Sequence, residues 1–309
     1  MTVLELIASG TNQLEAAGVS FGHGTTNAFD EAAWLVLWKL GLPLDSNLDG
    51  ADAVADADVP TVEQAKIEQL FAQRIGSRQP AAYLTKEAWL QGVPFYVDQR
   101  VIVPRSLIAE RLMDGSLDTW LPPRSRRALD LCTGGGSLAI LAAIVWPEVA
   151  IDASDISADA LAVAAINLEL HRMADRIRLL QGDAMSAAQG PYDLILCNPP
   201  YVNNTSMERL PPEYRAEPAL ALAGGIDGMD FVRRLVRQAP AKMSADAALV
   251  LEIGNERAHF EAAFAHLDAV WLDTSAGGDQ VCVLTQVALA TYTQASAGKS
   301  RSAATPKRP

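Results

Sequence analysis

The tetrapeptide Asn198-Pro199-Pro200-Tyr201 follows directly on the apolar run "YDLILC" (192–197). Pro199 and Pro200 fix their own φ, donate no hydrogen bond and hold the residue before them in extended backbone. The Pro199 carbonyl is thereby released from strand pairing. With the Asn198 side-chain oxygen it makes two rigidly placed acceptors, matched to the two N–H groups of a planar NH2. Tyr201 supplies an aromatic surface on which the flat group carrying that NH2 can stack. A strand stopped by a Pro-Pro turn would explain the prolines, but it needs neither the Asn before them nor the Tyr after.

Upstream, "ALDLCTGGGSLAI" (128–140) places three consecutive glycines between an apolar strand pattern and a helical one. Gly134, Gly136 and Ala139 satisfy the loose G-x-G-x-x-G/A spacing, and Asp155 follows at about the 20-residue distance that a ribose-binding carboxylate takes. That pattern does not separate NAD from S-adenosylmethionine, because both carry an adenosine with free ribose hydroxyls. Asp130 tips the balance. A carboxylate at the end of the first strand suits an amino- and sulfonium-bearing ligand and repels a pyrophosphate. Asp183, after "IRLLQG", ends a third strand, where the adenine amino group can meet it. The competing reading is that one or more of these aspartates only cap a helix or a turn. Four scattered histidines have no ligand spacing, so neither a metal site nor a nucleophilic triad is expected.

These groups need a scaffold that brings strand ends together. From about residue 105 the pattern alternates: strand "RALDLCT", helix "GSLAILAAIVW", strand "VAIDASD", helix "SADALAVAAINLELHRM", then strands "IRLLQGD" and "YDLILCNPP". A helix "GMDFVRRLVRQAPAKM", a strand "AALVLEIG" and a helix around "ERAHFEAAFAHL" follow. The predicted fold is α/β, a Rossmann-like parallel sheet with helices on both faces and its ligand at the C-terminal strand edges. Only "AGGD" separates the last two strand patterns, which predicts a closing antiparallel hairpin. Residues 1–85 read as a small helical domain, its second helix closed by Pro43 and its third capped by Thr61 and ended at Gly76. Residues 86–104 read as an extended or hairpin linker, 105–290 as the catalytic domain, and 291–309 as a disordered basic tail.

Composition narrows the partners. The chain has 309 residues, half hydrophobic and a fifth charged, enough for a large core and more than one domain. A formal net charge of -12 argues against a broad nucleic-acid surface and favours a basic protein as substrate. Cys132, Cys197 and Cys282 lie far apart without a C-x-x-C pair, which fits a reducing compartment. The N-terminus lacks the basic and continuously apolar regions of a signal peptide, and the run "LAILAAIVW" (138–146) is too short to span a bilayer. A cytoplasmic protein without membrane attachment is expected.

An Asn-Pro-Pro-Tyr motif on an apolar strand, downstream of "DLCTGGG", resembles the class I methyltransferases that act on planar amino groups. Those include adenine and cytosine amino methyltransferases and the protein-glutamine methyltransferases. Three flanking stretches, 21–43 with "FGHGT", 81–110 with "VPRSLIAE" and 217–235 with "EPALALAGGIDG", narrow the resemblance to the PrmB family. It covers the chain to about residue 288. The sister family that modifies release factors has I-P-R-P-E-T-E where this chain has "VPRSLIAE", and it lacks "FGHGT". The chain departs from the PrmB pattern in "TGGGSLAI" for "TGSGCIAI" and "TTNAF" for "TDNAW".

The resemblance implies methylation of a glutamine side-chain nitrogen on the large-subunit ribosomal protein L-three (uL3), with S-adenosyl-L-methionine as cofactor. It implies a catalytic segment of Asn198, Pro199, Pro200 and Tyr201. It implies a cofactor site drawn from Asp130, Cys132, Thr133, Gly134 and Gly136, from Asp155 and Ile156, from Asp183 and Ala184, and from Asn198. Methylation of the Gly-Gly-Gln glutamine of release factors, and of a nucleic-acid base, stay open as alternatives. His23, Arg105 and Glu217 have no assigned role: each suits a substrate contact or an internal pairing.

Overall fold

The computed structural model describes residues 1–49 and 54–303. The chain forms two compact units. One comprises Met1–Trp89, Tyr96–Arg105 and Leu210–Pro218; the other comprises Leu90–Phe95, Ser106–Arg209 and Ala219–Pro309. Among the described residues no helix is long and apolar enough to cross a membrane.

The first unit is built on helices α1 (Val3–Ala16), α2 (Ala28–Leu40) and α3 (Thr61–Ser77). A reciprocal capping box starts α1: Glu5 N donates to Thr2 Oγ1 and Thr2 N donates to Glu5 Oε2. Asn27 caps α2, which ends on left-handed Gly41 (φ 66°), two residues ahead of the expected stop at Pro43. Thr61 is not a cap. It is the first helical residue of α3, because the backbone N–H groups of Glu63 and Gln64 already close onto the Pro60 carbonyl. The helix also runs through Gly76 to Ser77, with Arg78 taking the left-handed position after it.

Segment Leu210–Pro218 is tied into this unit by buried charges. Arg74, on α3, is fully buried: its Nε donates to Glu31 Oε1 at 2.8 Å, Nη1 to Glu213 Oε1 at 3.3 Å, and Nη2 to the Ser20 carbonyl at 3.1 Å. Arg105 grips Glu217 with two 2.6 Å hydrogen bonds, and Val103 N donates to the same carboxylate at 2.9 Å. His23 Nε2 lies 3.6 Å from Glu217, and its ring is 4.2 Å, centroid to centroid, from Tyr214. Burial pushes the Glu217 carboxyl up, but Arg105 and His23 override it and hold it down to about 2. Thus within this unit Glu217 is an internal partner of Arg105 and His23.

The second unit carries a seven-stranded sheet: β1 (Arg127–Leu131), β2 (Ala150–Asp155), β3 (Ile177–Gln181), β4 (Tyr192–Cys197), β5 (Met243–Glu252), β6 (Val270–Thr274) and β7 (Gly277–Thr285). Their spatial order is β6-β7-β5-β4-β1-β2-β3. β3, β2, β1, β4 and β5 run parallel; β7 is antiparallel to β5 and to β6, which is the expected closing hairpin. Successive residues of the parallel strands feed opposite cores: Ala128, Leu194, Leu196 and Val250 one, Leu129, Ile195, Cys197 and Leu251 the other. A sheet covered on both faces favours apolar residues on both sides of each strand, which explains the runs "LILC" in β4 and "AALVL" in β5. Helices α4 (Ser137–Val145) and α5 (Ala158–Leu170) follow β1 and β2; α6 (Asp230–Gln238) and α7 (Arg257–Ala263) flank β5 in sequence.

Two further features differ from the sequence reading. The stretch after Tyr201 contains a small parallel pair, Val202–Asn203 with Ala223–Gly225, closed by a 2.8 Å bond from Val202 N to the Leu222 carbonyl. The stretch from 291, expected to be a disordered tail, instead belongs to helix α8 (Gln286–Ala303), whose start packs Leu289 into the core; residues 304–309 lie outside the described residues.

Candidate active site

In the order β5, β4, β1, β2, β3, the parallel strands deliver Glu252, Asn198, Asp130, Asp155 and Asp183 to their C-terminal ends. Neighbouring strands are roughly 5 Å apart, so these polar groups form one ledge. Connections leave β1 toward β2 on one side and return from β3 to β4 on the other. The reversal falls between β1 and β4, where open α/β sheets bind their ligands.

Asp130 is the most constrained of the five. It is 1% exposed, and its Oδ2 accepts from Thr133 Oγ1 at 2.5 Å and from Ala139 N at 3.0 Å. The second bond has a local cause. Helix α4 has Gly136 in its cap position (φ 81°), and a glycine has no side chain to satisfy the first-turn N–H groups. Asp130 does this from the strand, and when ionised it also faces the positive end of α4. A Cβ at Gly136 would also come within 3.3 Å of the Ala164 Cβ on α5, so the glycine permits the close approach of α5. The other Asp130 oxygen, Oδ1, is buried with no hydrogen-bond donor among the described residues. Burial pushes this carboxyl up to about 7, with nearby Asp155 adding to the effect.

Asp155, half-buried, accepts from Gly134 N and Ser157 N at 2.9 Å each, one bond per oxygen. Each oxygen retains a lone pair, so a hydroxyl donor can still be accepted there. Thr133 is buried, Cys132 and Gly134 are half-buried, and Ile156 is 48% exposed beside Asp155. Asp183 is exposed and paired with Arg234 at 2.6 Å, an ion pair that a ligand can displace cheaply. Ala184, after it, is buried with φ 47°. The sequence-predicted cofactor residues therefore all lie at the ends of β1, β2, β3 and β4.

Asn198 follows the last residue of β4 and is half-buried; Pro199 is buried and Tyr201 half-buried. Among the described residues nothing donates a hydrogen bond to the Asn198 side-chain oxygen or to the Pro199 carbonyl. Glu252 is the residue that sequence reasoning missed. It is 3% exposed and accepts from Ser106 Oγ (2.6 Å), Leu107 N (2.9 Å) and the Tyr201 hydroxyl (3.3 Å). Its signal was present in "ALVLEIG": a lone Glu ends an apolar run, where a buried charge needs a reason.

A family model for the methyltransferase small domain matches residues 109–210, the stretch that holds β1 to β4. The ribosomal protein uL3 glutamine methyltransferase of Bordetella pertussis is 53% identical over 293 residues, 94% of this chain and 97% of that protein. Its namesake from Burkholderia pseudomallei is 49% identical over 92% of this chain and 94% of its own length. That from Neisseria meningitidis serogroup B is 44% identical over 92% and 93%. Among solved structures, the hMettl16 catalytic domain in complex with MAT2A 3'UTR hairpin 6 superposes with a TM-score of 0.50 at 13% identity, covering 78% of this chain and 86% of that one, a likeness of fold alone. With relatives this similar along nearly its whole length, the chain belongs to the ribosomal protein uL3 glutamine methyltransferase family.

Proposed function

We propose that this protein methylates the side-chain amide nitrogen of a glutamine in ribosomal protein uL3, with the residues of the β1–β4 ledge as its site. One observation carries the assignment of the reacting group: two rigid acceptors, on Asn198 and Pro199, stand at the lip of β4 without a donor among the described residues. Full-length similarity to enzymes named for uL3 supports that substrate over a release factor or a nucleic-acid base. A ribosomal-protein substrate also supports a cytoplasmic location.

S-adenosylmethionine, the cofactor of this methyltransferase class, supplies an electrophilic methyl group. The donor set fits it. An orphaned buried acceptor such as Asp130 Oδ1 costs on the order of 1–3 kcal/mol, which a ligand N–H offsets. Asp130, with Thr133 steadying it, is assigned the cofactor's amino end, Asp155 the ribose hydroxyls, and Asp183 the adenine amino group. Cys132, Gly134, Gly136, Ile156 and Ala184 line the backbone path between them.

An amide nitrogen is a poor nucleophile because its lone pair is delocalised into the carbonyl. By accepting from both N–H groups, Asn198 and Pro199 orient that nitrogen and favour the positive charge that develops on it during transfer. Holding reacting atoms in line at roughly 3–3.5 Å supplies much of the acceleration. Pro200 keeps the segment extended, and Tyr201 flanks the flat amide. The proton leaves after the methyl group has arrived, so no strong base is needed beside the nitrogen.

Steady-state methylation of purified uL3, followed by mass spectrometry, tests the reading. Asn198→Ala is expected to lower kcat by about 100-fold or more with the fold intact. Unchanged transfer would refute the clamp. A release factor assayed alongside is expected to be a far poorer substrate.

A further inference from the structure

Glu252 has no part in the chemistry described so far, yet it is held with unusual care. Leu251 on β5 pairs with Cys197 on β4, so Glu252 and Asn198 leave neighbouring strands at the same level. One carboxylate oxygen, Oε2, is fixed by Ser106 Oγ and Leu107 N, and this aims the other, Oε1, at the Tyr201 hydroxyl. Tyr201 is confined elsewhere too. A Cβ on Gly254 would come 2.5 Å from Cε2 of its ring; one on Gly224 would come 2.7 Å from its Cα, and one on Gly228 2.2 Å from its carbonyl oxygen. Close backbone approach thus fixes the main chain of Tyr201 and one side of its ring, and Glu252 fixes the far end. Burying a carboxylate costs more than burying an apolar side chain of the same size unless hydrogen bonds or a cation compensate it. Burial raises the Glu252 carboxyl above the ordinary glutamate range.

We propose that Glu252 is a positioning residue of the transferase site, acting through the Tyr201 hydroxyl to hold the Asn198–Tyr201 segment in its reactive geometry. This rests on the reading of that segment as the amide clamp. Glu252 touches neither the cofactor nor the substrate. It sets the direction of the Tyr201 ring, and with it the wall against which the glutamine amide lies.

Methylation of purified uL3 by four enzymes tests the idea: wild type, Glu252→Gln, Tyr201→Phe and the double variant. Each single variant is expected to lose kcat on the order of tenfold, the size of one hydrogen bond to a charged group. KM for uL3 and the calorimetric affinity for S-adenosylmethionine are expected to stay within about twofold. The double variant is expected to be no slower than Tyr201→Phe alone, because Glu252→Gln weakens only the contact that the phenylalanine already removes. Losses that multiply in the double variant overturn the proposal, as does a Tyr201→Phe enzyme with full kcat. A Glu252→Gln loss that appears in cofactor affinity rather than in kcat overturns it as well. Should Glu252→Gln fail to fold, the kcat of Tyr201→Phe alone decides. Asn198→Ala keeps the two readings apart: if that variant is fully active the clamp itself fails, and if it is inactive while the losses multiply, only the role of Glu252 fails.

Discussion

Asp130 shows how one side chain can serve the fold and, in the proposed site, the ligand. It caps a helix whose own cap position is a glycine, and it keeps one oxygen free in a buried place. Its carboxyl, pushed up to about 7, is largely neutral in the free enzyme below that pH. A cationic ligand group favours the ionised form, so binding must release a proton. Affinity for S-adenosylmethionine is therefore expected to rise by up to about tenfold per pH unit below 7 and to level off above it. Asp130→Asn is expected to bind more weakly and without that slope, as calorimetry from pH 5.5 to 8.5 would show. The stability linkage has the opposite sense. The folded-state value lies above the unfolded one, so the contribution of this group is full at acid pH and is lost as pH rises through 7. The free Asn variant should then melt higher than wild type at pH 8. Both the aspartate and the Asn-Pro-Pro-Tyr segment were legible because their types conflict with apolar strands. Glu252 was passed over because its partners, Ser106 and Tyr201, are distant in sequence.

At the scale of elements, alternation of strand and helix patterns revealed the sheet, since a strand buried on both faces reads as a near-continuous apolar run. Helix ends were less legible. Thr61 looks like a cap, yet the carbonyl of Pro60 already accepts the first helical bonds, and only the backbone path decides between them. The small pair Val202–Asn203 and Ala223–Gly225 had no signal, because two- and three-residue strands carry no periodicity. Helix α3 depends on Arg74, whose guanidinium joins Glu31 of α2 to Glu213. Burial raises the Glu31 carboxyl even beside Arg74, so without that partner Glu31 would lose its ion pair in a buried place, while Glu213 would keep its 2.8 Å pair with Arg78. Arg74→Ala is expected to destabilise the protein by about 3–5 kcal/mol, measured by denaturant unfolding. Arg74→Lys is expected to recover only part of it, since one ammonium cannot reproduce the forked geometry.

For the whole molecule, net charge sets how a basic substrate arrives. With a formal charge of -12, kcat/KM for uL3 is expected to fall several-fold between low salt and about 0.5 M, with kcat nearly constant. Stopped-flow association rates would show the same slope. Architecture and chemistry were thus readable from residue types and spacing, whereas the membership of the two units was not: nothing in "LPPEYRAEP" (210–218) announces that it belongs with the first hundred residues. That membership bears on how the protein is made. Arg74 and Glu213 are 139 residues apart in the chain, so a growing polypeptide holds Arg74 and its nearer partner Glu31 long before the second carboxylate exists. Domains that fold as they emerge normally do so from the N-terminus. Here the helical unit completes its buried ion pairs only after most of the sheet strands have been synthesised.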